Sequence, residues 1–233
     1  MEFINFSDIL PSWFPMEIRF STLWRSATKQ SDESIARVYK TLANHYSEPH
    51  RKYHSLTHIE DCLQQLDNYD RVYPLAPYNK QLLEMALYFH DVIYEPKASD
   101  NEEQSCRFFN EMCNQQTKTE VSQNEWQNSV SCLIMATKHH DGSDLLAAIT
   151  VDIDLSILGR GIDEFEQYNS AIRSEYAWVS IKDYKIGRIK VLESFLNRHG
   201  IFQNDYFKNL YEAQARSNIK NAIEALQLVI PLD

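Results

Sequence analysis

Glycine and proline are scarce in this chain and unevenly placed. It holds five Gly, none before Gly142, and no Pro between Pro96 and Pro231. These two residues supply much of the geometry of tight turns, and both weaken helix interiors. A chain of 233 residues so poor in both favours helices over a turn-rich β architecture. At this length, folding removes roughly 70–75% of the unfolded chain's surface from water, so no disulfide or metal staple is required. A composition of 43% hydrophobic and 24% charged residues is that of a globular protein and excludes disorder. One all-α domain over 1–233 is expected, with an N-terminal extension over 1–25 and a motif-bearing core over about 50–220.

The 23 Lys and Arg against 33 Asp and Glu give a net charge of −10. Such a surface repels a phosphate backbone, which argues against general nucleic-acid binding. Phosphate chemistry stays open to an acidic protein when a bound metal reverses the local field. The four cysteines, Cys62, Cys106, Cys113 and Cys132, form no CxxC pair and are too sparse for a disulfide scaffold, so reduced thiols are expected. No Lys or Arg precedes Arg19, which speaks against a signal peptide, and no stretch approaches the roughly 18 apolar residues of a spanning helix. The expectation is a soluble, cytoplasmic protein with no membrane association.

Apolar spacing predicts where the helices lie. Gln81–Tyr94 is apolar on nearly every side, which suggests a buried helix in which His90 and Asp91 are the anomalies. Ser31–His45, Glu125–His139, Asp183–Arg198 and Asp205–Val229 read as amphipathic helices, with proline-bearing loops at Val72–Tyr78 and Glu95–Asp100. Ile149–Ile157 alternates apolar and polar residues as a strand does, but its neighbours fit a helix equally well. With no partner strand evident, helix is favoured. Trp13 and Phe14 lie between Pro11 and Pro15, in a stretch that either folds onto its own core or packs on another subunit of a homodimer.

The chemistry begins with His90-Asp91. Burying a carboxylate costs several kcal/mol unless it is paired or bound to a metal. A buried His-Asp pair tied to backbone or to an Arg is the plain alternative. Further histidines weaken that alternative. His54 and His58 stand at i and i+4, where one helical face can carry both, and His139-His140 ends a predicted helix. Asp152 and Asp154 point about 200° apart on a helix, so one of them faces any common centre. Asp154 has the apolar setting; a helix cap or a surface pair suits Asp152.

The order His58, His90-Asp91, Asp154 resembles the H…HD…D signature of the HD superfamily of metal-dependent phosphohydrolases. The segments at 53–59, 89–94, 100–105, 136–140, 152–159, 172–176 and 215–218 are similar to a bacterial branch of predicted HD hydrolases. The resemblance implies a helical bundle around a buried divalent ion such as Mn²⁺, Fe²⁺, Co²⁺, Ni²⁺ or Mg²⁺, held by His58, His90, Asp91 and Asp154. Two-metal members of the family imply a second ion near His140, with His139 as the weaker choice. Glu103 is either its carboxylate or a solvated partner of Arg107. Asp91, Glu102 and Lys138 are the catalytic candidates, and His54 and Arg173 the substrate-binding ones. Arg51 and Lys52 are further candidate cations.

The function this implies is hydrolysis of a small phosphate ester or nucleotide by a metal-activated water. Two alternatives are an HD-fold oxygenase with two irons and a metal-retaining nucleotide-binding module without turnover. No GxxxxGK[ST] loop or Rossmann glycine pattern is present in the sequence.

Overall fold

Side-chain oxygens just ahead of the apolar-periodic runs start several helices by accepting an otherwise unpaired N–H. Ser31 accepts from Ser34 N, Asp144 from Ala147 N, Ser180 from Asp183 N and Asn204 from Tyr206 N. A computed structural model of the chain describes residues 16–114 and 125–228, and it is all-α, with no strand among the described residues. The helices are α1 (Met16–Ala27), α2 (Asp32–Tyr46), α3 (Leu56–Val72), α4 (Pro77–Phe89) and α5 (Asn101–Asn114). They continue as α6 (Glu125–His139), α7 (Leu145–Asp154), α8 (Ile162–Glu175), α9 (Ile181–Leu196) and α10 (Asp205–Gln227). A 3-10 turn over Leu155–Gly159 extends α7. Trp13 and Phe14 lie outside the described residues.

Two boundaries differ from expectation. The helix expected over Gln81–Tyr94 runs instead from Pro77 to Phe89. Pro77 stands in its first turn, where the missing N–H costs nothing, so the helix begins inside the predicted loop. At the other end His90 is the C-cap, its N–H still bonded to Ala86 O, and the chain then turns away. His90-Asp91 is therefore a helix-end motif rather than a mid-helix one. The strand-like run around Ile153 is helical, as favoured, because Asp144 caps it and its apolar residues are covered on several sides.

α4 lies at the centre of the bundle and packs against α1, α3, α5, α6 and α7. All its residues from Leu82 to Phe89 are buried except Glu84, which pairs with Arg19 of α1. Phe20, Trp24, Tyr88, Phe89 and Phe109 interlock as an aromatic cluster behind it. The 3-10 turn lies flat on α10. Gly159 permits this, because a Cβ there would collide with the backbone of Tyr211. That contact fixes the level at which α7 ends and thus the position of Asp154. No helix among the described residues is long and apolar enough to cross a membrane.

Candidate metal centre

The ends of two helices and the first turns of a third converge. α3 contributes His58 from its first turns, the end of α4 contributes His90 and Asp91, and α7 contributes its last residue, Asp154. His58 Nε2 lies 3.2 Å from His90 Nε2, 3.2 Å from Asp154 Oδ1 and 3.7 Å from Asp91 Oδ2. His90 Nε2 lies 3.1 Å from Asp91 Oδ2 and 3.5 Å from Asp154 Oδ1. Ligands at right angles around an ion with 2.0–2.2 Å bonds stand about 3 Å apart, so these spacings are those of neighbouring ligands on one cation. His58 and His90 are 4% and 1% exposed. The four residues singled out as ligands therefore meet.

The donor atoms fit a cation for a second reason. His90 Nδ1 donates to Leu87 O at 3.0 Å, so the neutral ring turns the Nε2 lone pair toward two carboxylate oxygens and a second imidazole. Lone pairs converging on lone pairs call for a proton or a metal ion between them. Without an ion, burial disfavours a charged His90, but Asp91 and Asp154 outweigh it and hold the ring's pKa well above the ordinary value. Burial likewise pushes the two carboxyls upward, and the imidazoles around them hold both below the carboxylate range.

Cys62 adjoins the set and was not among the expected ligands. Its Sγ sits 3.7 Å from both ring nitrogens of His58, one turn along α3. His58, Cys62, His90 and Asp154 offer ligand atoms all within 4.8 Å of one another and could hold a metal ion. Burial, reinforced by Asp154, raises the thiol's pKa well above its ordinary value. The i, i+4 spacing from His58 was the available signal.

A shell of polar groups positions the cluster. Glu175, 3% exposed, accepts from the N–H groups of Lys52, Tyr53 and His54 at 2.7, 2.7 and 3.0 Å. Its second oxygen takes His54 Nδ1 at 2.7 Å and the Tyr94 hydroxyl at 2.9 Å. Burial pushes Glu175 upward, but His54 and the N–H groups bring it down to about 2. His54 is held by this carboxylate in the loop before α3, not on the helix with His58, because α3 begins only at Leu56. Arg51 is buried and spends its guanidinium on Glu48 and on the carbonyls of His54, Asp91 and Val92. It braces the loop that carries Asp91 and is not in the cavity wall. Lys52 has an exposed side chain.

The cluster opens on a cavity of about 790 Å³, within the range of small-molecule sites. Asp91, Asp154, His54, Glu102, Lys138 and His140 all line it. Between the two adjacent histidines, His140 faces the cluster, with Nε2 3.5 Å from Asp154 Oδ2. It sits just past α6 with φ 49°, and Arg198 holds its carbonyl and that of His139, whose side chain is exposed.

Other candidates lie elsewhere. Glu103 pairs with Lys138, not with Arg107 and not with His140. Arg107 turns to Asp100 instead. Lys138 reaches the cavity, but its charge is shared with Glu103 and the Ser99 carbonyl. Arg173 is not in the cavity wall: it bonds the carbonyls of Tyr176 and Val179 and lies over the Tyr184 ring, so it braces the α8–α9 turn. Asp152 caps the turn before α10, accepting from Gln203 N and Asn204 N.

No protein-family model, curated protein or solved structure matches this chain.

Proposed function

We propose that this protein is a metal-dependent phosphohydrolase of the HD superfamily, acting on a small phosphate ester or nucleotide. The observation that carries the reading is the convergence of His58, His90, Asp91 and Asp154 at ligand spacing, with Asp91 and Asp154 in the wall of a cavity. A divalent ion held there would supply an activated water at neutral pH and Lewis acidity toward a phosphoryl oxygen. Two imidazoles with two carboxylates suit Mn²⁺, Fe²⁺, Co²⁺, Ni²⁺ or Mg²⁺, and a bound Cys62 thiolate would favour the softer of these.

The chain's own groups have separate tasks. Leu87 O and Glu175 fix the tautomers of His90 and His54. His54 keeps Nδ1 on Glu175, which leaves its other nitrogen to exchange a proton with the ligand. Glu102 lines the same cavity and is the second group that can protonate a leaving oxygen. Lys138 supplies positive charge at the rim, reduced by its pairing with Glu103.

The alternative reading, an oxygenase with two irons, has one supporting observation. Asp154 divides its oxygens, Oδ1 toward His58 and His90 and Oδ2 toward His140, as a carboxylate between two ions does. The diversion of Glu103 to Lys138 counts against it.

Two measurements test the reading. Metal analysis of the purified protein should give about one ion per chain, whereas two irons with oxygen uptake would favour the oxygenase. Assays with Mn²⁺, Co²⁺ and Mg²⁺ against phosphomonoesters, phosphodiesters and nucleotides should show hydrolysis that His90→Ala and Asp91→Ala abolish. Activity that survives both substitutions overturns the assignment, and ligand binding with no turnover under any metal points to the binding module.

A further inference from the structure

Two lysine or arginine side chains line the cavity, Lys138 and Arg188. Lys138 is committed to Glu103. Arg188, on α9, has no carboxylate partner among the described residues. Its Nη2 donates to Asn169 Oδ1 at 3.0 Å, and its guanidinium stacks over the Tyr168 ring at 5.0 Å. Its Nε is buried and has no acceptor.

A guanidinium carries five donors and a permanent charge, and leaving a buried donor unpaired is costly. In a chain of net charge −10, a cation without an acidic partner in a cavity wall is an anomaly. The wall around it is aromatic: Tyr168, Tyr176 and Tyr184 line the cavity with it, and Trp178 stands nearby. Tyr168 packs on Tyr53 at 4.7 Å between ring centres, and Tyr53 packs on His58 at 4.7 Å. Two aromatic rings thus separate Arg188 from the metal cluster.

We infer that Arg188 is an oxyanion subsite, distinct from the metal cluster, that holds an anionic group of an aromatic-bodied ligand the size of a mononucleotide. The flat body lies along the tyrosine wall and the oxyanion accepts from the guanidinium. The inference rests on reading the cavity as the substrate site, but it requires neither a metal nor turnover.

The test uses metal-free protein in chelator, titrated by calorimetry with adenosine 5′-monophosphate and with adenosine. The wild type should bind the monophosphate about tenfold or more tightly than the nucleoside. Arg188→Gln should erase that preference, and Arg188→Lys should keep part of it. Asn169→Ala, which releases the guanidinium from its side-chain anchor, should reduce it by a smaller factor and serves if Arg188→Gln does not fold. Equal affinities in the wild type, absence of binding, or a preference that survives Arg188→Gln would each overturn the subsite. The phosphohydrolase reading fails separately. If no metal gives turnover while Arg188→Gln still loses the preference, the subsite stands without the enzyme. If hydrolysis occurs and Arg188→Gln leaves KM unchanged, the enzyme stands without the subsite.

Discussion

The last turn of α7 carries a buried and a half-buried carboxylate that face opposite regions of the molecule. Asp152 points to the turn before α10, where the N–H groups of Gln203 and Asn204 take both its oxygens at 2.6–3.0 Å. Asp154 points to His58, His90 and His140. Burial pushes Asp152 up to about 7 against the pull of its N–H partners, while the imidazoles hold Asp154 well below the carboxylate range. The first carboxylate is satisfied by the fold alone. The second is surrounded by groups whose own lone pairs need a cation. Burial of an acidic side chain therefore does not mark a site; the identity of its neighbours does.

The comparison breaks or sharpens through a graded set of substitutions. His90→Ala should lower metal affinity by more than about 100-fold, since even outer partners of a ligand are worth 10- to 100-fold. Equilibrium dialysis with Co²⁺ or Mn²⁺ measures it, and an unchanged affinity would make the Asp154 side as structural as the Asp152 side. Asp152→Ala should leave metal content unchanged and cost about 2–4 kcal/mol in urea unfolding, because it strands two buried N–H groups. Loss of metal in that variant would merge the two regions.

Glu175→Gln should cost roughly 2–3 kcal/mol near neutrality, with a defined pH dependence. The folded pKa of about 2 lies below the ordinary glutamate value of 4.5, so the carboxylate's contribution is complete above pH 4.5 and is lost as pH falls toward 2. The variant should therefore lack that acid-side loss, which thermal melts between pH 2.5 and 6 would reveal. The smallest effect belongs to Arg173→Ala. KM for any phosphate substrate should stay within about twofold, with at most about 1 kcal/mol of stability lost, because the side chain braces a turn outside the cavity wall. A large rise in KM would return Arg173 to the site.

Much of this arrangement was legible in the sequence. The scarcity of Gly and Pro indicated the helices, and the spacing of Leu82, Leu83, Ala86 and Phe89 revealed the central one. The end of that helix was not legible, because Val92 and Ile93 continue the apolar run after the chain has turned. Two polar residues of the cavity shell were missed although their register was visible. Glu175 shares a face of α8 with Phe165 and Ile172, and Arg188 shares one of α9 with Lys185, Leu192 and Phe195. Charged residues at inward positions were the available signal. The partner choice of Glu103 depended on which helix α5 packs against, which local spacing does not encode.

Arg216 of α10 holds the carbonyls of Leu196, Arg198 and His199, and Arg198 in turn holds those of His139 and His140. The orientation of the third imidazole is thus governed by a relay of two guanidiniums anchored in the final helix. Damage far down the chain would swing His140 away from Asp154 while the other ligands, set by α3, α4 and α7, stayed assembled.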